Sequence, residues 1–512
     1  MTFAIPMPQS VIERLLETRE YYLLVRIHDG QNGDIDLLPT KVLCSCSSSC
    51  QSWQFTLKNS GEYSEGLWSG LQAEVFFGTD RAVWYQMFNG YVSREGLSRK
   101  YGRLTDDTVT LELEDRTRGK GTKRKPYSQA LVGFCVCDPD DVGNSLVHQF
   151  ASMMGVSTVN CGKVSYVKDL ATIGDKTVWN ELQSMREAYD AYLYFDYMGR
   201  LFFHTAQEEG WVEPESEWTL NGDPEHVPDG LYSPVIGSVG VVVEAPNCTR
   251  AKSSVKQYEH LEEKVVYRNT ENWNEKNTSY EIIVPPKATW PEEGVASLKF
   301  KDPDTGEAYD CATDIVTPTV GTTVFFDIWF RGGTLQLVSF NGSTDATRPE
   351  AGAAQIHLKN EGGESCTITK FEVRGRPMKS LGELQIESKV PNINEEDHVD
   401  VEVDGKYGID ELQMNRTLGA LVGRGEHPHR SFQVTSSFLP FVQRGMRMTL
   451  RLPRRPGQEQ AEAVLAELVS YSHKQNGVTL ATMRTSLSLM EIVPYTPEYN
   501  TKVVSNRPNV IP

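Results

Sequence analysis

Hydrophobic and polar residues alternate along the first part of the chain with the two-residue period of β-strands that bury one face. Val109, Leu111 and Leu113 alternate in this way with threonine and glutamate, and an earlier apolar stretch, Ala73–Gly78, is also typical of a strand. Short, turn-rich connections separate these stretches. Residues 23–116 are therefore predicted to form a tube-like antiparallel β-barrel.

A helical period replaces the alternation in the next region, residues 117–234, which we predict to be an α+β domain. One helix is expected near 139–154, with Asp138 as its N-cap and Gly155 at its end. A second helix is expected at 178–189, where apolar residues recur at spacings of four, three and four.

An aromatic-rich hairpin follows the second helix directly. The segment 191–205 reads AYLYFDYMGRLFFHT, with turn residues Asp196 and Gly199 between two short strands. Its large aromatic side chains are too apolar for both faces to lie in water, so one face is expected to pack on helix 178–189. The other face is expected either in the core of the same domain or at a subunit contact. The candidate assembly contacts are aromatic residues of the hairpin and the helix: Tyr192, Tyr194, Phe195, Phe202, Phe203 and Trp179.

Strand patterns resume at residue 235 and continue nearly to the end of the chain. Residues 235–268 and 366–495 are predicted to form a second tube-like β-barrel in two parts. Residues 270–365, rich in turn signals, are predicted to form an inserted β-sandwich-like module with an apolar strand over Thr323–Phe330. The expected fold class is mainly β with an α+β part.

The two ends of the chain are predicted to be extensions. Residues 1–22 form an N-terminal extension with one short helix around Ser10–Arg19. Residues 496–512 contain three prolines and no periodicity, and are interpreted as an extended C-terminal arm that a neighbouring chain orders. Acidic residues alternate with Val399, Val401 and Val403, and Asp404-Gly405 follows them. This pattern predicts a strand that ends in a hairpin turn.

Charge excludes one class of function. The chain of 512 residues has 51 Lys plus Arg and 69 Asp plus Glu, a formal net charge of −18. Nonspecific DNA binding requires neutralisation of phosphates, so an acidic chain of this kind is a poor candidate for it. The N-terminus lacks a signal-peptide pattern and no apolar run reaches the roughly 20 residues of a membrane span, so we expect synthesis in a cytoplasm and no membrane insertion.

Few residues are candidates for chemistry. Cys44, Cys46 and Cys50 share one parity, but their spacing matches no standard zinc site, and buried thiols are the favoured interpretation over a metal or cluster. The histidines of 427–429 and the acidic run 394–398 are interpreted as polar loops. The usual hydrolase and nucleotide-binding motifs are absent from the sequence, so we expect no enzyme and no cofactor.

Several segments, taken in order, resemble the central hub proteins of phage tails and related injection machines. The segment TVWNELQSMREAYDAYLYFDYMGRLFFHT carries the strongest resemblance, with a Trp-led helix, a strand, an Asp-X-X-Gly turn and a second aromatic strand. No lysozyme or peptidase motif of the kind fused to some hubs is present. The segments that resemble this family lie at 57–78, 138–156, 177–205, 358–378, 438–453 and 466–489.

The resemblance implies a homotrimer in the virion, at the distal end of the tail. Two tube-like barrels in each of three chains would match a sixfold tail tube to a threefold tip. The implied partners are the tail tube, distal tail proteins, a tip, spike or fibre protein and the tape-measure protein, with DNA passing through unbound. Two alternatives stay open: a tip adhesin that binds a receptor or glycan through 270–365, and a cell-surface glycosidase.

Overall fold

The structure is a computed structural model, and it describes most of the chain in segments. The described residues are 5–18, 21–30, 33–47, 50–58, 68–100, 108–119, 121–126, 129–156, 159–173, 176–210, 212, 214–223, 235–269, 281–341, 352–475, 483–492 and 501–505.

The described residues form four α-helices and 31 strands. The helices are α1 (Gln9–Thr18), α2 (Leu146–Met154), α3 (Val178–Tyr189) and α4 (Glu411–Gly425). The strands of the first half are β1 (Tyr22–Asp29), β2 (Gly33–Leu37), β3 (Lys41–Cys46), β4 (Gln51–Lys58), β5 (Gln72–Gly78), β6 (Tyr85–Lys100), β7 (Thr108–Glu114), β8 (Gln129–Cys137), β9 (Val159–Cys161), β10 (Val164–Ile173), β11 (Tyr192–Phe195), β12 (Leu201–His204), β13 (Trp218–Asn221), β14 (Gly240–Glu244), β15 (Arg250–His260) and β16 (Lys264–Arg268).

The strands of the second half are β17 (Ile282–Val284), β18 (Thr289–Trp290), β19 (Ala296–Lys299), β20 (Cys311–Thr313), β21 (Val320–Gly321), β22 (Ile328–Arg331), β23 (Leu335–Asn341), β24 (Ala353–Asn360), β25 (Cys366–Lys389), β26 (Asp400–Val403), β27 (His429–Ser437), β28 (Arg447–Arg451), β29 (Ala463–Gln475), β30 (Met483–Glu491) and β31 (Thr501–Ser505). The chain is mainly β with a smaller helical part, which confirms the predicted fold class.

The largest sheet has 13 strands and joins two distant parts of the sequence. Its path runs β14-β27-β30-β29-β3-β4-β7-β6-β5-β1-β2, with β28 and β13 on a branch from β29. The join is the pairing of β29 with β3, in which Tyr471 faces Cys46 and His473 faces Cys44. The side chains of both parts share one hydrophobic core, so this sheet is one packed body.

The residues assigned from sequence to the second barrel lie in two different sheets. Strand β14 and strands β27 to β30 belong to the 13-stranded sheet, whereas β15, β16, β25 and β26 belong to a 9-stranded one. The 24-residue strand β25 connects this sheet to the inserted region, because it is long enough to pair with β17 and β22 at its start and with β15 at its end. Helix α4 packs on this second sheet through Met414, Leu418 and Val422.

The inserted region has a hydrophobic core that includes Phe300 and Ile356, and the first half of β25 contributes Phe371 to it. Strands β18, β24, β19 and β23 form a 4-stranded sheet, and β17, β21 and β22 extend one end of β25. Asn360 is fully buried between these parts. Its side-chain nitrogen donates to the carbonyl oxygens of Val284, Pro285 and Glu364 at 2.7–3.2 Å. The amide therefore connects the two sheets of the region.

Most local predictions for the helices are confirmed, with one shift. Helix α3 has the predicted bounds and α1 lies within one residue of its predicted position. Helix α2 begins at Leu146 with Ser145 as N-cap, later than predicted. Residues 138–144 instead form turns in which Asp138 and Asp141 accept backbone N–H groups, a side-chain interaction that competes with helix.

Two further predictions were wrong. Asp404-Gly405 is no hairpin turn: Asp404 caps a 3₁₀ turn, Gly405–Tyr407, and β26 runs parallel to β15. In the C-terminal arm, β31 pairs antiparallel with residues 384–388 of the same chain, so these five residues need no neighbour to order them. Asn476-Gly477, a dipeptide typical of hairpin turns, lies outside the described residues, and strands β29 and β30 on either side of it pair antiparallel.

Candidate assembly interface

The hairpin β11–β12 owes its tight turn to Asp196. One carboxylate oxygen of Asp196 accepts the backbone N–H groups of Met198 at 3.0 Å and Arg200 at 2.8 Å. Gly199 adopts a left-handed conformation with φ of 73°, which a residue without Cβ enters at little steric cost. The Asp-X-X-Gly sequence therefore fixes how the two aromatic strands face each other.

One face of the hairpin packs on helix α3. The rings of Trp179 and Phe195 stack with centroids 5.4 Å apart. Phe203 is fully buried in the same cluster, beside Leu182 and Met185 of the helix. This is the packing on the helix that the sequence predicts.

The opposite face of the hairpin packs against the 13-stranded sheet. Phe202 is buried in the core of that sheet, and its ring stacks on Tyr194 with centroids 4.6 Å apart. The hydroxyl of Tyr192 donates to Oε2 of Glu467 on β29 at 2.9 Å. Burial raises the pKa of Glu467, and this hydrogen bond opposes the increase. The hairpin is thus a wedge between helix α3 and the large sheet.

A small cavity of about 30 Å³ lies where the wedge meets the join of β3 and β29. Asp115 lines it, and burial raises the pKa of its carboxyl to about 6 although backbone N–H groups of Gln51 and Thr117 donate to it. Cys46 also lines it, and burial raises the pKa of that thiol to about 12. The space is enough for about one or two water molecules and too small for a substrate.

Helix α3 is fixed on its other side by a buried charge. Glu181 is fully buried. Its carboxylate accepts hydrogen bonds from Lys406 Nζ at 2.8 and 3.0 Å and from the Tyr407 hydroxyl at 2.7 Å. A second ion pair joins Lys176 Nζ and Asp404 Oδ2 at 2.8 Å. These contacts attach the helix to the 3₁₀ turn that follows β26.

The two ends of the 13-stranded sheet differ in character. Strand β14 pairs with β27 alone among the described strands, and all five of its residues are exposed. Val241, Val242 and Val243 are exposed by 47%, 54% and 67%. At the other end, β2 pairs with β1 alone among the strands that the structure describes, and it carries Asp34 and Asp36. Asp36 pairs with Arg26 and Asp34 with His28, both on β1, so the sheet ends in one apolar edge and one edge of paired charges.

Three solved structures cover almost the whole of this chain, each at 10% identity. They are a tail protein from Neisseria meningitidis MC58 (94% of this chain, 99% of that chain, TM-score 0.47), the 43 kDa tail protein of prophage MuSo2 from Shewanella oneidensis (92% and 98%, TM-score 0.44) and prophage tail protein gp18 from Listeria monocytogenes EGD-e (91% and 94%, TM-score 0.41). The chain is similar in fold to phage tail proteins. At these values the similarity gives no information about function. No protein-family model and no curated protein sequence match this chain.

Five of the six predicted assembly contacts lie in the wedge, and Trp179 lies on helix α3. Phe195, Phe202 and Phe203 are buried by residues of the same chain, which leaves their side chains little surface for a second subunit. Trp179, Tyr192 and Tyr194 are half-buried. A subunit contact by these last three stays a prediction.

The candidates for chemistry are dispersed. The described residues contain no group of three His, Cys, Asp or Glu side chains that could hold a metal ion. Glu395 of the acidic run pairs with Lys389 and Arg250, and His429 lies 3.4 Å from Glu244. None of the helices in the described part of the chain is long and apolar enough to cross a membrane.

Two features of the interface were missed from sequence. Glu181 lies three residues after Val178 and four before Met185, so the helical period places it on the apolar face, which is a signal of a buried, paired carboxylate. The exposed edge strand Gly240–Glu244 gave no local signal, because an apolar run is usually read as buried.

Proposed function

We propose that this chain is a structural hub protein at the distal end of a phage-type tail. Three copies form a ring that adapts the sixfold tail tube to a threefold tip or spike and leaves a channel for DNA. The tail tube, distal tail proteins, a tip, spike or fibre protein and the tape-measure protein are its proposed neighbours. The role is structural, with no catalytic step.

The organisation of the large sheet supports the threefold-to-sixfold proposal. Strands β1 to β7 form one half of the sheet, and β13, β14 and β27 to β30 form the other. The halves are seven and six strands, joined side by side through β3 and β29. A ring of three chains would present six such half-sheets, which is the number needed to meet a sixfold tube.

The observation that carries the proposal is the valine edge at β14, which pairs on one side only among the described strands. An exposed apolar edge strand presents unpaired N–H and C=O groups to any chain that can add a strand, and soluble proteins usually block such edges. A cyclic ring needs two different, complementary surfaces on each subunit. The β14 edge and the β2 edge lie at opposite ends of one sheet, and the backbone N–H and C=O groups of one edge can pair with those of the other edge on the next copy, so they are two such surfaces on each copy.

The charge of the chain supports a channel that does not retain DNA. A net charge of −18 provides repulsion from phosphates, and nonspecific binding would require the opposite sign. DNA is therefore expected to pass through the ring without sequence recognition.

Copy number and position in purified particles test the proposal. Quantitative mass spectrometry against the tube protein is expected to give three copies, and an antibody to residues 281–341 is expected to label the distal end of the tail in electron micrographs. Absence from particles, or dozens of copies along the tail, would overturn it.

A matched pair of variants tests the edge. Val243→Arg places a charge on β14 and is expected to convert the trimer to monomer in native mass spectrometry. Val338→Arg, on exposed strand β23 of the inserted region, is the control and is expected to leave the trimer intact. Equal oligomeric states for the two variants would exclude β14 as the contact.

A further inference from the structure

The turn at residues 323–326 exposes hydrophobic side chains at its apex. Phe325 is 93% exposed and Val324 is 52% exposed. The backbone N–H of Phe326 donates to the carbonyl of Thr323 at 3.2 Å, so Val324 and Phe325 occupy the two central positions. Such positions usually hold Gly, Asn, Asp or Pro. The apolar strand predicted over Thr323–Phe330 is therefore wrong up to Asp327, and β22 begins at Ile328.

Side-chain contacts hold this turn in one shape. Asp327 accepts the backbone N–H of Thr319 at 2.9 Å and its hydroxyl at 2.8 Å. The indole N–H of Trp329 donates to the carbonyl of Thr322 at 2.8 Å. Phe326 lies directly over Gly321, where an added Cβ would come within 2.1 Å of its ring. The apex is thus presented by a fixed turn and is not a loosely tethered loop.

Two exposed arginines lie beside the apex. Arg331 is exposed and its guanidinium lies 4.9 Å from the ring centroid of Trp329. Arg374 is about half-exposed, 3.8 Å from the more buried Asp327. Lys370 is more buried and serves the turn itself: its Nζ lies 3.4 and 3.5 Å from the carbonyl oxygens of Val324 and Phe326 and 3.3 Å from Oε2 of Glu372. In a chain of net charge −18, the apex is thus bordered by two exposed cations.

We propose that the 323–326 turn docks on the surface of an anionic phospholipid bilayer. Phe325 and Val324 enter the boundary between headgroups and acyl chains, and Arg331 and Arg374 meet the lipid phosphates. An apolar tip with basic flanks is the combination that favours interfacial binding. The charge complementarity selects an anionic lipid surface over an uncharged glycan. The contact is shallow, and it adds a peripheral lipid site to a chain expected not to insert in membranes.

This proposal is independent of the hub assignment, because it concerns a surface of the inserted region alone. The β14 edge and the 323–326 turn lie in different sheets. Failure of one proposal therefore leaves the other unchanged.

Flotation of the full chain with vesicles tests the lipid site. Vesicles of phosphatidylcholine with roughly one third phosphatidylglycerol are compared with pure phosphatidylcholine, at low and high salt, because the surface potential of anionic lipid is screened by salt. Binding is expected on the anionic vesicles and is expected to weaken with salt. Absence of binding, or equal binding to both compositions, would overturn the proposal.

Variants at the apex give the sharper comparison. Phe325→Ser is expected to lower the vesicle partition coefficient about tenfold, since burial of one aromatic side chain is lost. Phe325→Trp is expected to retain binding. Val338→Ser, at a valine elsewhere in the region that is as exposed as Val324, is expected to change it little. Unchanged thermal midpoints show that the variants fold. Equal vesicle binding by Phe325→Ser and the parent, or Phe325-dependent capture by a purified glycan or protein receptor without vesicle binding, would refute the lipid assignment.

Discussion

Glu181 on helix α3 and Lys406 on the 3₁₀ turn after β26 form an ion pair across 225 residues of sequence, with the carboxylate fully buried. Both carboxylate oxygens of Glu181 accept hydrogen bonds from Lys406 Nζ, and one of them also accepts a hydrogen bond from the Tyr407 hydroxyl. Lys406 is partly exposed, so the pair retains some hydration. The pair joins the hairpin–helix unit to the second sheet.

Glu181→Gln is expected to lower the free energy of unfolding by about 2 kcal/mol, since it removes the charge that the buried donors require. Urea denaturation followed by fluorescence measures the change. Glu187→Gln, an exposed position on the same helix, is the control and is expected to change stability by less than about 0.5 kcal/mol. Equal effects of the two changes would contradict a structural role for the buried pair.

The two phenylalanines Phe203 and Phe325 allow one substitution to be compared in opposite environments. Phe203→Ala removes a fully buried ring between helix α3 and the hairpin and is expected to cost about 3–5 kcal/mol. Phe325→Ala removes a ring that is 93% exposed and is expected to change stability by less than about 0.5 kcal/mol. Denaturation midpoints of the two variants measure the changes in stability. A large loss of stability for Phe325→Ala would show that the ring of Phe325 packs within the chain.

Acid is expected to weaken the join between β3 and β29 through His473. Its ring is buried among Trp53, Phe438 and Tyr471, and burial lowers the pKa of His473 to about 3. The unfolded chain binds this proton near pH 6.5 and the folded chain does not. The stabilising contribution of neutral His473 is therefore complete above pH 6.5 and is lost progressively between pH 6.5 and about 3, at roughly 1.4 kcal/mol per pH unit.

Unfolding free energies measured from pH 7.5 to 4.5 check this dependence. His473→Gln keeps a polar group near Thr485 without a titrating ring, so its stability is expected to fall less steeply with acid than that of the parent. Identical slopes for both chains would show that other groups cause the acid sensitivity.

Asn360→Ala is expected to destabilise the chain by about 2–3 kcal/mol, because three backbone carbonyl oxygens lose their donor and the N–H groups of Thr334 and Gly362 lose their acceptor. Thermal unfolding monitored by calorimetry measures the loss. Asn341→Ala, at an exposed asparagine of β23, is the matched change and is expected to be nearly neutral. A neutral Asn360→Ala would mean that water replaces the amide.

Local patterns in the sequence were sufficient for elements whose partners are close in the chain. Helix α3 and the β11–β12 hairpin have the predicted bounds because their apolar spacing, the Thr177 cap and the Asp196 turn all act within a few residues. The Asp-X-X-Gly turn is a chemical signal that does not depend on the rest of the fold.

The pairing of strands that are far apart in the sequence could not be predicted from local patterns. The period of two shows that β15 and β25 are strands, but it carries no information about the sheet they join. Residues 250–260 pair with 378–389, more than a hundred residues away, in a sheet separate from that of β27 to β30. The strand predicted at Val324-Phe325 was wrong for a different reason, because the hydrophobicity of these residues was taken as a sign of burial. Local rules are most often broken where a surface has a function.

Strand β29 pairs with β28 along its first residues and with β3 along its last residues, and a β-bulge between Leu468 and Ser470 separates the two contacts. A bulge bends its strand locally and leaves one residue out of the ladder, so this is the point about which one half of the sheet can tilt against the other. In the ring proposed above, compliance would then lie at six places: three bends within the chains and three seams between them.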